Sequence, residues 1–551
     1  MRILRFLKLT TLVVALTACG DDVLEVENPN NPDRNRVLRN PADVEGLASS
    51  QFQQILSATL GSTTRVQTGM LTAAFENAST LANNCLGPCS GIPRQPISNN
   101  RGNPYTNEVY NDFRLLSSVA RNSADVLLRA KATDFSLGTG REGDVTRLIA
   151  WAHFTYATAL GYLSLVYDSA GIPRTTDEGG VVPPLEAYAA VNAFALQNYD
   201  SAIAYAGRAN MTALPAGWLT GPGGVTVTPA RLIQVSRSFK AKMRASVART
   251  PAERTAVNWT AVIADATSGI ADDLIVRMDP SLGWDYSWLS TGTHYRDANW
   301  HQMTYYAIGP ADVSGAFETW LATARDSRTP FTIVTPDLRF PQGATRPEQN
   351  AVGQGAPTGR RYFRNRDPGG DQAGVGWQNS QYDHYRFRAF ADAGRIGNFP
   401  FMTKAEVDML AAEGYIRTNN IPAAAALIDR TRTTAGLPAL AGAVTSATQP
   451  VPGGASCVPR VPVAPTFTTV ACGTILEAMK WEKRMETAFT TYGAWFFDSR
   501  GWGDMPEGTP VHWPVPNQEA DARVIPIYNL GGVGQPGGAG PSTYGFGGGS
   551  R

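Results

Sequence analysis

The sequence predicts a mostly α-helical protein, with helical hairpins at both ends of the chain and a loop-rich central insertion. Three observations predict it. Apolar residues recur at helical spacing in long stretches before residue 272 and again after residue 400. Those stretches come in pairs divided by short Gly/Pro loops, as stacked helical hairpins require. Between them the periodicity fades into Gly, Pro, Asp and aromatic residues, with short extended pieces such as "FTIVTP".

The elements follow in chain order. Arg2, Arg5 and Lys8 flank the start of an apolar run from Phe6 to Ala18, shorter than the roughly 20 residues a bilayer takes. That is the pattern of a secretory signal peptide over 1–18. Leu16-Thr17-Ala18-Cys19 resembles the lipobox of bacterial lipoproteins, which implies cleavage before Cys19 and a lipid on its thiol. The plainer reading is an ordinary secretory cut with Cys19 as a bystander. Asp21-Asp22 resembles the acidic tag of surface-exposed lipoproteins. Residues 19–40, with "NPNNPD", read as an extended tether.

From Pro41 the texture becomes helical, with Val44, Leu47, Phe52, Ile55 and Leu56 on one face. Further helices are predicted over 108–131, 143–167, 186–209, 229–249 and 258–271, completing an N-terminal region at 41–271. The insertion spans 272–400. Helical character returns at 401–418, 421–436 and 474–493, within a C-terminal region and closing segment at 401–528. The glycine-rich stretch 529–551 reads as a mobile tail.

Composition bounds the function. With 43% apolar residues the chain buries a real core, and its formal charge of +1 falls to about −2 once Arg2, Arg5 and Lys8 leave with the signal. No basic run tracks phosphates, so nucleic acid is not an expected partner. The membrane is expected to be met only through the lipid. Besides Cys19 there are Cys85, Cys89, Cys457 and Cys472. In an exported protein they read as two disulfides, and sequence-local pairing is the simplest of three connectivities.

Candidate ligand residues concentrate at 283–306, "GWDYSWLSTGTHYRDANWHQMTYY". Trp284, Tyr286, Trp288, Tyr295 and Trp300 offer flat faces on which sugar C–H groups stack, while Asp285 and Arg296 suit the hydroxyls. The competing reading is that these rings pin a long loop to the helices. A second candidate is "LANNCLGPCSG", where a small disulfide would hold Asn83 and Asn84; a third is 377–388, "WQNSQYDHYRFR". No catalytic residues, metal ligands or cofactor are expected. The five histidines form no H-E-x-x-H, there is no G-x-S-x-G elbow, and the tail's G-x-G-x-x-G lacks a strand–turn–helix setting. Sequence spacing does not exclude a glycosidase carboxylate pair.

The C-terminal helices carry a resemblance. "AEVDMLAAEGYIRTNNIPAAAALIDRTRTTAGLP" looks like a TPR-style hairpin in which Ala411 and Ala412 allow close helix approach. It is followed by "ILEAMKWEKRMETAFTTYGAWFFDSRGWGDMPEG" and "WPVPNQEAD". This order resembles the RagB/SusD family, through Glu406, Glu413, Ala426, Ile428, Arg432, Gly436, Leu437, Pro438, Glu482, Arg484, Glu486, Asp498, Arg500, Trp502, Gly503, Pro514, Pro516 and Glu519. Thr491 and Tyr492 depart from the family's corner, where a Glu is often found. The resemblance implies a SusD-like fold and a non-enzymatic outer-membrane lipoprotein, exposed at the cell surface. Such a protein binds a nutrient, an oligosaccharide foremost, and delivers it to a TonB-dependent SusC-like barrel. The rival readings are a surface glycoside hydrolase and a TPR scaffold for envelope assembly. Arg484 and Arg500 are expected to tie their helix to the following corner.

Overall fold

Helices begin where the sequence supplies a cap. Asn40 Oδ1 accepts the Ala42 N–H at 3.1 Å ahead of Pro41, and Thr228 accepts the Arg231 N–H at 3.2 Å ahead of Pro229. Thr403 and Asn420 cap two later helices through Glu406 N–H at 3.1 Å and Ala423 N–H at 3.4 Å. Each such cap is worth about 1 kcal/mol. The computed structural model describes residues 34–62, 64–79, 85, 89–176, 181–287, 301–351, 353, 361–368 and 380–546. The signal peptide, Cys19 and most of the expected tether lie outside the described residues.

The end of the expected tether is corrected. Residues Arg34–Arg39 form a helix (α1), held by two hydrogen bonds of 2.8 and 2.7 Å from Arg34 to Asp125. A distant ion pair, invisible to local periodicity, fixes it. Then come α2 (Pro41–Ser49), α3 (Gln51–Thr59), α4 (Val66–Ala73) and a two-residue strand, β1 (Ala78–Ser79). The long helices are α5 (Thr106–Ala130), α6 (Glu142–Val166), α7 (Tyr188–Ala206) and α8 (Pro229–Ser246), followed by the short α9 (Pro251–Thr255) and α10 (Trp259–Thr267). Each long helix packs on the next, α5 on α6, α6 on α7 and α7 on α8, with α10 against α8. Helix α6 is buried on all sides from Thr146 to Val166 because α3, α5, α7 and α8 surround it.

The insertion is closed at its base. Strand β2 (Leu274–Met278) begins it, β6 (Gly397–Met402) ends it, and the two pair antiparallel from Leu274↔Met402 to Met278↔Gly397. Leu274, Val276 and Met278 point inward while Ile275 and Arg277 face out, the period-two pattern of a half-buried strand. Within it lie β3 (His301–Gln302), β4 (Phe363–Asn365) and β5 (Tyr382–His384). Because β2 and β6 meet, α10 packs directly on α11 (Lys404–Arg417), and the helical stack continues across the insertion.

Helix α11 also packs on α12 (Ile421–Arg432) and α13 (Ile475–Thr487). Ala411 and Ala412 are buried at this contact. A Cβ on Gly414 would stand 2.6 Å from Ile263 Cγ1, so only glycine fits against α10. Helix α14 (Ala494–Trp502) follows a left-handed Gly493 at φ 62°.

The charged residues of the resemblance are braces in the core. Glu406 pairs with Lys242 at 2.9 Å, Glu482 with Arg339 at 2.8 Å and Asp498 with Lys483 at 2.7 Å. Arg484 reaches Asp504 at 2.5 Å and Ser499 Oγ at 3.2 Å, the tie expected of it. Arg500 differs. It donates to the carbonyls of Leu165, Ser246 and Val511 at 2.6–2.8 Å, and so locks the ends of α6 and α8 to the closing segment. Cys457 and Cys472 are joined, with Cα atoms 5.7 Å apart.

Residues 529–546 are not a loose tail. Leu530 bridges Ile97, Ala539 exchanges hydrogen bonds of 2.8 Å with Gly508 and Thr509, and Tyr544 and Phe546 are buried. Phe546 packs on Tyr306 at 4.3 Å and Phe75 at 5.7 Å between centroids. Two aromatic anchors outweigh the glycine content that suggested mobility.

Candidate functional site

The three segments singled out as ligand candidates leave from one small strip of backbone. β1 pairs with β3 as Ala78↔Gln302 and Ser79↔His301, so the chain after Ser79 and the chain before His301 depart from the same end. The Met303 N–H donates to Tyr382 O and the Ser380 N–H to Met303 O, both at 2.9 Å, bringing β5 alongside. β5 in turn pairs with β4, from Phe363↔His384 to Asn365↔Tyr382. The strip is pinned from below. Asp383 receives Arg364 and Arg366 at 2.7 Å each, and the Tyr382 hydroxyl donates to Gln349 Oε1 at 2.6 Å. Asn83, Asn84, Trp288, Tyr295, Arg296 and Trp300 themselves lie outside the described residues.

The other candidates of the aromatic cluster are corrected. Tyr286 is 0% exposed, stacked on Phe399 at 4.7 Å, and its hydroxyl donates to Phe489 O at 2.9 Å. Trp284 is buried against Phe52, with ring centroids 6.3 Å apart. Asp285 pairs with Arg395 at 2.7 Å. The three residues lie shortly after β2, where Tyr286 packs onto β6 and Trp284 onto α3.

A cavity of about 500 Å³ opens beside the Cys85–Cys89 disulfide, whose Cα atoms are 5.4 Å apart. Its walls are largely apolar, with Val66, Ile97, Val109, Pro510 and Trp513 among them. Gly69 forms part of the floor; a Cβ there would come within 3.1 Å of Cys89 Sγ, so the disulfide seats directly on α4. Two buried charged groups also line it. Arg94 donates to Ala73 O and Thr509 Oγ1 at 3.1 Å each and to Cys89 O, and burial pushes its guanidinium down to about 9. Glu108, on the first turn of α5, is pushed up to about 8 by burial, with the charge of Asp112 adding to the effect.

The Cys85–Cys89 disulfide was expected from the sequence, and the cavity beside it was not. Arg94 and Trp513 were missed because single residues in irregular segments carry no period, and Glu108 because an acid in a first helical turn ordinarily serves the helix dipole. Among the described residues, no group of three His, Cys, Asp or Glu could hold a metal ion. No described helix is long and apolar enough to cross a membrane.

A frame of stacked helical hairpins, interrupted by an insertion closed at its base, defines a SusD-like fold, and solved structures agree. A SusD homolog from Bacteroides thetaiotaomicron superposes with a TM-score of 0.54 at 13% identity, over 89% of this chain and 97% of that one. A SusD superfamily protein from the same organism gives 0.52 at 13% identity, over 87% and 96%. A SusD homolog from Parabacteroides distasonis gives 0.51 at 12% identity, over 83% and 84%. No family model and no curated protein matches the chain. The chain has the SusD-like fold, with TPR-like helices as its frame.

Proposed function

We propose that the protein is a lipid-anchored, surface-exposed outer-membrane receptor of the SusD kind. It binds a nutrient, an oligosaccharide foremost, and hands it to a TonB-dependent SusC-like barrel. The observation that carries this reading is agreement of fold over 89% of this chain and 97% of a SusD homolog. Because one fold hosts many functions, the reading leans as well on the strip at Ser79, His301 and Ser380, from which the aromatic- and amide-bearing segments depart. In this proposal Trp288, Tyr295, Arg296, Trp300, Asn83 and Asn84 supply the ligand surface, and Cys19 the anchor.

Binding is favoured over hydrolysis. A glycosidase flanks its substrate with two carboxyl groups about 5–9.5 Å apart. The carboxylates Glu406, Glu413, Glu482 and Asp498 are bound to lysines or arginines in the core. Glu108 is the single acid among the described residues lining the cavity.

The test is to titrate the purified mature protein with a panel of glycans while chromatography follows the sugars. Binding of at least one oligosaccharide class without new fragments supports the reading. Fragments would favour the hydrolase, and a flat response to every glycan the scaffold. Labelled palmitate should enter the mature chain, and a barrel should co-purify from detergent-solubilised membranes.

A further inference from the structure

The cavity beside the Cys85–Cys89 disulfide contains a carboxyl group that no described residue answers. Glu108 is 5% exposed and lines the cavity. Among the described residues its side chain has no hydrogen-bond donor and no ion-pair partner. Asp112, one turn further along α5, shows the contrast. It accepts the Val66 N–H at 3.2 Å and the Tyr492 hydroxyl at 2.6 Å, and Arg65 stands 3.7 Å away.

A carboxyl group set among largely apolar walls with no donor from the described residues is in a costlier place than bulk water. The dipole of α5 would reward an acid in the first turn equally well at an exposed rotamer, so the dipole does not account for the burial. Nor does Arg94 on the same wall. Its guanidinium is taken up by Ala73 O, Cys89 O and Thr509 Oγ1. A volume of about 500 Å³ falls in the range of small-molecule sites, which are apolar with a few fixed polar groups.

We propose that this cavity binds a small organic cation, whose apolar body lies against Val66, Ile97, Val109 and Trp513 and whose ammonium group pairs with the Glu108 carboxylate. The ammonium supplies that group with the partner no described residue provides, as a charge-assisted hydrogen bond among largely apolar walls. The proposal rests on the described lining of this cavity and stands whether or not the oligosaccharide reading holds.

Calorimetric titration of the full mature protein with 4-phenylbutylamine, 4-phenylbutan-1-ol and 4-phenylbutyrate tests it, since the three share one apolar body. The amine should bind at least about tenfold more tightly than the alcohol, a difference of about 1.4 kcal/mol, and the carboxylate more weakly than either. Glu108→Gln should bring the amine down to the affinity of the alcohol. Ser98→Trp, which adds bulk at another lining residue and leaves Glu108 in place, should weaken amine and alcohol alike. Equal affinity for amine and alcohol, no amine binding at millimolar concentration, or undiminished amine binding by Ser98→Trp would each overturn the proposal.

Discussion

Arg254 grips both oxygens of Glu413, with Nε donating to Oε1 at 2.9 Å and Nη2 to Oε2 at 2.5 Å. The pair joins α9 to α11 across the whole insertion, and both side chains are 0% exposed. Burial works against the Glu413 charge, but Arg254, Arg417 and Lys483 outweigh it and hold the carboxyl group at about 2. A folded value below the ordinary 4.5 stabilises the fold at higher pH, and that contribution disappears as pH falls from about 4.5 to about 2. Glu413→Gln should therefore destabilise the protein at pH 7 by about 3 kcal/mol, and the gap from wild type should narrow below pH 4.5 and nearly close by about pH 2. Denaturant melts at the two pH values would read it.

Glu76 should behave in the opposite sense. Burial raises it to about 8, against the single backbone hydrogen bond from Phe489. Between 4.5 and about 8 the unfolded chain loses this proton while the folded chain keeps it, so stability falls as pH rises. Glu76→Gln keeps an acceptor for the Phe489 N–H and removes the titration. Its melting temperature should exceed that of wild type by several degrees at pH 8, with the advantage shrinking toward pH 5. A constant offset across that range would count against the account.

Arg484→Ala should lower the melting temperature by several degrees, because Asp504 loses one of its two cations and keeps Lys480 at 3.0 Å. Affinity for any bound ligand should be unchanged, because Arg484 braces α13 against the following corner. A variant that stays as stable as wild type but no longer binds would refute this.

Removing residues 529–551 should destabilise the protein by several kcal/mol, since Tyr544 and Phe546 are both buried and each large side chain contributes about 1.5–3 kcal/mol. Limited proteolysis of the shortened chain should then cut first around residues 94–103, which lose the pairing with Leu530 and the Asn529 bond to the Asn99 N–H. Unchanged melting and unchanged cleavage would mean that the segment is ornamental.

The long helices were legible, α5 and α8 from their helical period and α6 from its unbroken apolar run. The expected 108–131, 143–167 and 229–249 correspond to Thr106–Ala130, Glu142–Val166 and Pro229–Ser246. What escaped the sequence depends on distant partners. Helix α1 needs Asp125, and the buried Glu406 needs Lys242. Trp284 and Tyr286 have the composition of a sugar platform, yet Phe52 and Phe399 claim them. Beside the cavity, the pairing of Cys85 and Cys89 was legible, while Glu108 gave no sign of its isolation because an unpaired acid and a solvated one look alike in sequence.

The strap formed by residues 529–546 has a temporal consequence. Synthesis runs from the N-terminus onward, so Ile97 and Asn99 emerge long before Leu530 and Asn529, their partners 430 positions later in the second case. Until those partners emerge, the seam beside residues 97–99 stays open. A chain halted before residue 529 would keep that seam, and proteases would find it there.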